Sequence, residues 1–99
     1  MVENLNVARF DELMKEDVVL VDFYAVWCGP CRMMAPVVEE IAEENPSVRV
    51  GKVDVDEVGE LAQRFGIVSI PTLLVFKNGQ LVNKFVGVQD KQTILNALR

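Results

Sequence analysis

Residues 21–36, VDFYAVWCGPCRMMAP, contain the only two cysteines of the chain, Cys28 and Cys31. The residues before Cys28 are apolar at both odd and even positions, which is typical of a central strand covered on both faces of a sheet. After Cys31 the apolar residues recur at the spacing of one helical face, with glutamates on the other face. The two cysteines are therefore predicted to lie where a β-strand ends and an α-helix begins.

The composition narrows the class of protein. About half of the 99 residues are hydrophobic (51%), which suffices for one core, and the length suits a single domain over residues 1–99. Ten basic against 15 acidic residues give a net charge of -5, which disfavours nucleic acid as a partner. The longest apolar run is shorter than the roughly twenty residues that span a bilayer, and the start lacks a secretory signal pattern. We therefore expect a cytoplasmic protein that binds neither nucleic acid nor membranes. We separately expect it to be a monomer.

The rest of the chain alternates between helical and strand periods. Asn6 and Asp90, both favoured N-cap residues, precede the first and the last helical pattern. Residues 18–25 and 48–55 are predicted strands, and Asn78-Gly79 is the preferred two-residue turn of a β-hairpin. The segment before Asn6 is a candidate for a further short edge strand. This order predicts an α/β fold with a mixed sheet of four to five strands and helices on both faces.

The motif Cys-Gly-Pro-Cys at a helix start favours reversible dithiol–disulfide chemistry. Cys28 would face the unpaired N–H groups and the positive dipole end of the helix, which stabilise a thiolate and lower the pKa of the thiol. Cys31, one helical turn further, is expected to be more buried and better suited to resolving a mixed disulfide. Gly29 permits a tight turn, and Pro30 presets the backbone of the first helical turn. Both are expected to tune the redox pair.

Three other uses of the cysteines compete with redox chemistry. A structural disulfide would close a loop of four residues and add only about 2 kcal/mol of stability. A structural zinc site needs four ligands, and the chain has two cysteines and no histidine, so it would have to be shared between two chains. Two inert buried thiols are disfavoured by the intervening Gly29 and Pro30. The absence of histidine also excludes a Cys–His hydrolase.

Several motifs in the chain resemble the thioredoxin family. They are Trp27 with the Cys-Gly-Pro-Cys that follows it, the preceding VDFYA, Pro36, the triplet Ile70, Pro71 and Thr72, the FKNG of residues 76–79, and Gly87. The motifs extend over nearly the whole chain in the family's order. The resemblance implies a thioredoxin fold and no bound metal.

In family terms, the chain is a general protein disulfide reductase that contributes to redox homeostasis. Cys28 would attack a disulfide in a protein substrate, and Cys31 would then displace the reduced substrate. The resemblance implies no bound cofactor, because electrons would come from NADPH through a separate flavoprotein, thioredoxin reductase. That reductase and disulfide-containing proteins are the expected partners.

Asp22 is an acidic residue inside an apolar strand, where loss of hydration would raise the pKa of its carboxyl group. Lys52 shares the parity of Val50 on the next predicted strand and would meet Asp22 if the two strands pair in register. Another interpretation has Asp22 bonded to local backbone or close to solvent at the end of the sheet. The resemblance implies that Asp22 accepts the proton of the resolving thiol and that Lys52 tunes it.

The resemblance also implies a substrate-docking surface around the sulfurs. An X–Pro bond is usually trans, but the family pattern implies a cis bond before Pro71, with the proline facing the cysteines. The implied docking residues are Trp27, Gly29, Pro30, Ile70, Pro71, Gly87 and Val88. Three features depart from the family pattern: Tyr24 occupies a position where many members carry tryptophan, Val68-Ser69 precedes Ile70, and the N-terminal segment is short.

Two other functions compete with reduction. One is an oxidase or isomerase on the same fold, although oxidants of this fold usually place a histidine between the cysteines; a reduction potential near that of such relatives would favour it. The other is a binding module without catalysis, which would keep its cellular function after both cysteines were changed to serine.

Overall fold

The computed structural model describes residues 2–99. Its elements are β1 (Glu3–Asn4), α1 (Val7–Leu13), β2 (Val18–Tyr24), α2 (Gly29–Glu44), β3 (Arg49–Asp54), α3 (Gly59–Arg64), β4 (Thr72–Lys77), β5 (Gln80–Val86) and α4 (Lys91–Leu98). They form one five-stranded sheet in the order β1-β3-β2-β4-β5. β3 runs parallel to β1 and β2, whereas β4 is antiparallel to β2 and β5. The predicted mixed sheet is confirmed, and it has five strands.

Helices cover both faces of the sheet. One face of β2 contributes Val19, Val21 and Phe23 to a core shared with α1 and α3. The opposite face contributes Leu20 to a core shared with α2 and α4. Side chains alternate along a strand, so Asp22 points to the same face as Leu20, beneath α2. The apolar pattern of β2 on both parities therefore reflects a strand buried on both sides.

Local signals determine the ends of several elements. The side chain of Asn6 accepts a hydrogen bond from the Arg9 N–H at 2.8 Å, and that of Asp90 accepts one from the Thr93 N–H at 2.8 Å. The hairpin turns at Asn78 and Gly79, whose φ angles are 53° and 80°. These caps and this turn confirm the predictions from the sequence. Within residues 2–99, no helix has both the length and the apolar character needed to cross a membrane.

The predicted edge strand before Asn6 forms as β1, held by close packing against β3. Leu5, which is buried, follows β1, and its backbone N–H donates to the Lys52 carbonyl at 2.9 Å. Its side chain lies over Gly51, where an added Cβ would come within 2.5 Å of Leu5 Cδ1. The absence of a side chain at Gly51 therefore lets β1 dock, and this brings Asn4 next to Lys52.

Candidate active site around the Cys28–Cys31 pair

The junction between β2 and α2 places both cysteines at the start of a long helix. Cys28 is the N-cap residue of α2, and Pro30 lies in the first turn. The backbone N–H of Cys31 donates to Cys28 Sγ at 3.2 Å. The cysteines are joined by a disulfide, with their Cα atoms 5.3 Å apart. The structure thus places the Cys28 sulfur against an N–H group of the helix N-terminus, as the sequence predicted.

The expected difference in burial between the two cysteines is wrong for this disulfide form. Cys28 is 5% exposed and Cys31 is 4% exposed. The short loop holds both sulfurs side by side, and Ala25 and Ile70 pack against them. Cys28 Sγ also lies 3.9 Å from the carbonyl oxygen of Ile70. A difference in reactivity between the two sulfurs must therefore come from their hydrogen bonding to the helix rather than from their exposure.

An apolar rim surrounds the disulfide. Of the residues expected to dock substrate, Trp27, Pro30 and Val88 are exposed, Gly29, Ile70 and Gly87 are half-buried, and Pro71 is buried. The Ile70-Pro71 peptide bond is cis, as the resemblance implied. Because Pro71 itself is buried, Ile70 provides the accessible part of this segment.

Three exposed apolar side chains close in sequence to the motif residues were missed in the sequence analysis. They are Val26 (70% exposed), Met33 (65%) and Val68 (95%). Each is a large apolar residue close to a motif residue in the chain, which is the only signal that could have identified it. Val68 also belongs to the segment that departs from the family pattern.

Two hydrogen bonds orient the rim near the cysteines. The indole N–H of Trp27 donates to Asp56 Oδ2 at 2.8 Å, which ties the ring to the loop after β3. The Arg32 guanidinium donates to the Val26 carbonyl oxygen at 3.1 Å. Trp27 therefore remains exposed yet held in place.

The loop after β5 is hydrogen-bonded to the cis-proline segment and to helix α2. The Gly87 N–H donates to the Pro71 carbonyl at 2.8 Å, and Gly87 adopts a φ of 88°, which favours glycine. The Gln89 N–H donates to Met34 Sδ at 3.4 Å. Met34 is a buried residue of α2. The loop that carries Val88 is thereby fixed to both the cysteine helix and the cis-proline segment.

Asp22 is a buried carboxyl group. It is 4% exposed, and within residues 2–99 its Oδ1 atom has no hydrogen-bond partner. Burial raises the pKa of Asp22 from 3.8 to about 7, and the positive charge of Lys52 opposes this rise. Asp22 and Lys52 are register partners on β2 and β3. The predicted in-register pairing is confirmed, and the alternative of a carboxylate near solvent is wrong.

A cavity of about 270 Å³ behind the disulfide connects these groups. Its lining residues are Asp22, Tyr24, Ala25, Val26, Cys31, Arg32, Ala35 and Lys52. Cys31 therefore shares a small, mostly apolar space with the buried acid and the lysine. Within residues 2–99, no cluster of three or more His, Cys, Asp or Glu side chains has a metal-binding arrangement.

Comparisons with known proteins agree with this geometry. The thioredoxin family model matches residues 1–99. A thioredoxin from Chlamydia pneumoniae is 43% identical over 98 residues, covering 99% of this chain and 96% of the relative. Thioredoxin 1 from Synechococcus elongatus is 56% identical over 81 residues, covering 81% and 76%.

Solved structures show the same similarity. A mutant thioredoxin from Halobacterium salinarum superimposes with a TM-score of 0.88 at 43% sequence identity, covering 97% of this chain and 88% of that one. The superposition covers the mixed five-stranded sheet of this chain and the cysteine pair at the N-terminus of α2. The chain therefore belongs to the thioredoxin family, and it is a thiol–disulfide oxidoreductase that acts as a protein disulfide reductase.

Proposed function

We propose that Cys28 is the attacking thiol and Cys31 the resolving thiol of a general protein disulfide reductase. The observation that supports this assignment is the 3.2 Å hydrogen bond from the Cys31 N–H to Cys28 Sγ at the helix N-cap. An N–H donor and the positive end of a helix dipole stabilise a negatively charged sulfur. In the reduced protein, Cys28 is then the sulfur that attacks as a thiolate.

The reaction transfers two electrons in two exchanges. In the first, the Cys28 thiolate attacks one sulfur of a substrate disulfide, a new S–S bond forms, and the other substrate sulfur leaves as a thiolate that takes up a proton. In the second, Cys31 loses its proton and attacks Cys28 Sγ, which releases the second substrate thiol. The protein ends with the Cys28–Cys31 disulfide, and the substrate ends as a dithiol.

Asp22 accepts the proton that Cys31 loses in the second exchange. Both side chains line the same cavity, whose volume of about 270 Å³ has room for water to carry the proton. A base works best when its pKa lies near the operating pH, and burial raises the pKa of Asp22 to about 7. Lys52, on the same cavity wall, limits this rise.

The exposed apolar rim docks protein substrates. The Ile70 backbone lies beside Cys28, where an extended substrate segment can pair with it by strand addition. Trp27, Gly29, Pro30, Gly87 and Val88 complete the surface around Ile70 and Pro71. An exposed apolar surface of this kind suits protein partners.

Val88→Asp is expected to raise the KM for a protein disulfide several-fold, because a charge on the rim must be desolvated when substrate docks. The rate with a small aromatic disulfide should stay unchanged. Val82→Asp on β5 is the matched control, since Val82 is 47% exposed and Val88 is 49% exposed. Equal effects of both variants on the protein substrate would place docking elsewhere.

The oxidised pair is re-reduced by a flavoprotein thioredoxin reductase that draws on NADPH, and the chain works as a monomer in the cytoplasm without a bound cofactor. The decisive assay couples insulin reduction to NADPH oxidation by a thioredoxin reductase. We expect NADPH consumption that depends on the chain and vanishes in the Cys28→Ser, Cys31→Ser double variant. Wild-type protein that consumed no NADPH while still reducing insulin with added dithiol would contradict the reductase partner.

A further inference from the structure

Three neighbouring strands bring Asn4, Lys52 and Asp22 into one row across the sheet. Asn4 on β1 and Asp22 on β2 are both register partners of Lys52 on β3. Register partners of parallel strands point to the same face of a sheet. This is the face beneath α2, since Leu20, two residues before Asp22, packs with the buried residues of that helix. Lys52 is thus flanked by a buried acid on one side and an amide on the other.

The Tyr24 side chain extends over this row. The Lys52 Nζ atom lies 5.5 Å from the centroid of the Tyr24 ring, within the range of about 6 Å for a cation–π interaction. The phenol oxygen of Tyr24 donates to Asn4 Oδ1 at 3.2 Å. The ring therefore reaches from β2 over Lys52 to β1 and is attached at both ends.

We propose that Tyr24 is a positioning residue that holds the Lys52 ammonium group on the wall of the cavity that it shares with the Asp22 carboxyl group, with Asn4 fixing the phenol from β1. A lysine has a flexible four-carbon stem and would otherwise extend its charge into water. The ring offers the ammonium a favourable site on the cavity side instead. The proposal rests on the proposed function, in which Asp22 accepts the Cys31 proton, and it names the residue that fixes the charge acting on this acid.

The titratable groups around Asp22 come from three elements. They are Tyr24 on β2, Lys52 on β3, and Cys31 and Arg32 on α2. The pKa of Tyr24 is itself raised, first by burial and then by the negative charges of Asp54, Glu57 and Asp22. The phenol therefore keeps its proton over the range in which Asp22 titrates and remains a donor to Asn4.

The test measures how strongly Lys52 acts on Asp22 with and without the ring. The Asp22 carboxyl carbon is titrated by NMR in the wild type and in Lys52→Met, and then in the same pair carrying Tyr24→Leu. We expect Lys52→Met to raise the Asp22 pKa by about one unit when Tyr24 is present, and by less than half of that in the Tyr24→Leu background. Tyr24→Leu could also change the burial of Asp22. This effect cancels, because each change in the Asp22 pKa is the difference between two proteins that carry the same residue at position 24. Equal shifts in both backgrounds would overturn the proposal.

Conservative variants separate the ring from its hydroxyl. Tyr24→Trp keeps an aromatic face and should retain the full effect of Lys52, whereas Tyr24→Phe loses only the bond to Asn4 and should retain part of it. If Tyr24→Leu does not fold, a measurement on the wild-type protein still tests the contact between the Tyr24 ring and Lys52. The methylene protons next to the Lys52 ammonium must show an upfield ring-current shift, and its absence would overturn the proposal.

These measurements do not depend on catalysis. If Asp22 is not the proton acceptor, Asp22→Asn will release substrate at the wild-type rate, while the coupling between Tyr24 and Lys52 is still observed. If Tyr24 is not a positioning residue, the coupling disappears and the slow release by Asp22→Asn is unaffected. The two ideas therefore fail in different experiments.

Discussion

Cys31→Ser is expected to accumulate a stable mixed disulfide between Cys28 and a protein substrate. The proposed first exchange uses Cys28 alone, but release requires a second thiol, which serine does not provide. With substrate in excess we expect nearly every chain to be trapped and insulin-reducing turnover to be lost. Non-reducing electrophoresis followed by mass spectrometry of the linked peptides identifies the cysteine that carries the substrate.

Cys28→Ser is the matched control, since it removes the other sulfur of the same disulfide. It should neither trap substrate nor turn over, because the remaining Cys31 thiol lacks the N-cap position at which the helix N-terminus stabilises a thiolate. Trapping through Cys31 in this variant, combined with no trapping in Cys31→Ser, would reverse the two roles.

The two sulfurs differ in hydrogen bonding rather than in exposure. Both are nearly buried in the disulfide form, but the N-cap position gives Cys28 Sγ a donor from the helix backbone. A sulfur at this position gains from the N–H and from the helix dipole when it carries negative charge. The N-cap position of Cys28 follows from the start of α2 and could be predicted from the sequence, whereas the equal burial depends on how Ala25 and Ile70 pack around the closed disulfide.

Elements with a local cause were predictable from the sequence. Asn6 and Asp90 cap their helices through their own side chains, and the Asn78-Gly79 turn follows from the ease with which these residues adopt positive φ. The strand β2 was predictable because it is apolar on both parities. Its register against β3, which brings Asp22 level with Lys52, was a conditional expectation that the structure confirms.

Contacts between distant segments were not predictable. The hydrogen bond from Gln89 to Met34 joins residues on a loop and a helix, and no local pattern distinguishes Met34 from any other buried methionine. The phenol of Tyr24 meets Asn4 only because Gly51 lets β1 dock on β3. The sequence alone shows that Tyr24 departs from the family pattern. Its contact with Lys52 becomes visible only in the structure, where three strands are aligned.

Asp22→Asn is expected to stabilise the protein at neutral and alkaline pH and to slow substrate release. The pKa of Asp22 is raised by burial from 3.8 to about 7, with Lys52 opposing the rise. At about 1.4 kcal/mol per unit, ionising this buried group costs up to about 4 kcal/mol of folding free energy, and asparagine avoids that cost. Slower release follows because the variant lacks the base that accepts the Cys31 proton.

The stability that Asp22→Asn gains over the wild type is expected to increase with pH. Below pH 3.8 the carboxyl group is protonated in both folded and unfolded chains, so its contribution to wild-type stability is complete. As pH rises towards 7, the folded state keeps a proton that the unfolded chain has released, and wild-type stability falls. Above the folded pKa the loss is complete. The advantage of Asp22→Asn should therefore grow from acid to neutral pH and then level off.

Urea unfolding of both oxidised proteins at about pH 4 and about pH 8 measures this dependence. We expect similar free energies of unfolding at the acidic pH and a clearly higher value for Asp22→Asn at the alkaline one. Asp17→Asn is the control, since Asp17 is exposed and just precedes the same strand. Equal free energies for wild type and Asp22→Asn at the alkaline pH would mean that the ionised carboxylate is solvated. The cavity behind the disulfide would then be a polar, water-accessible space, and Asp22 would have an ordinary acidity unsuited to accepting the thiol proton.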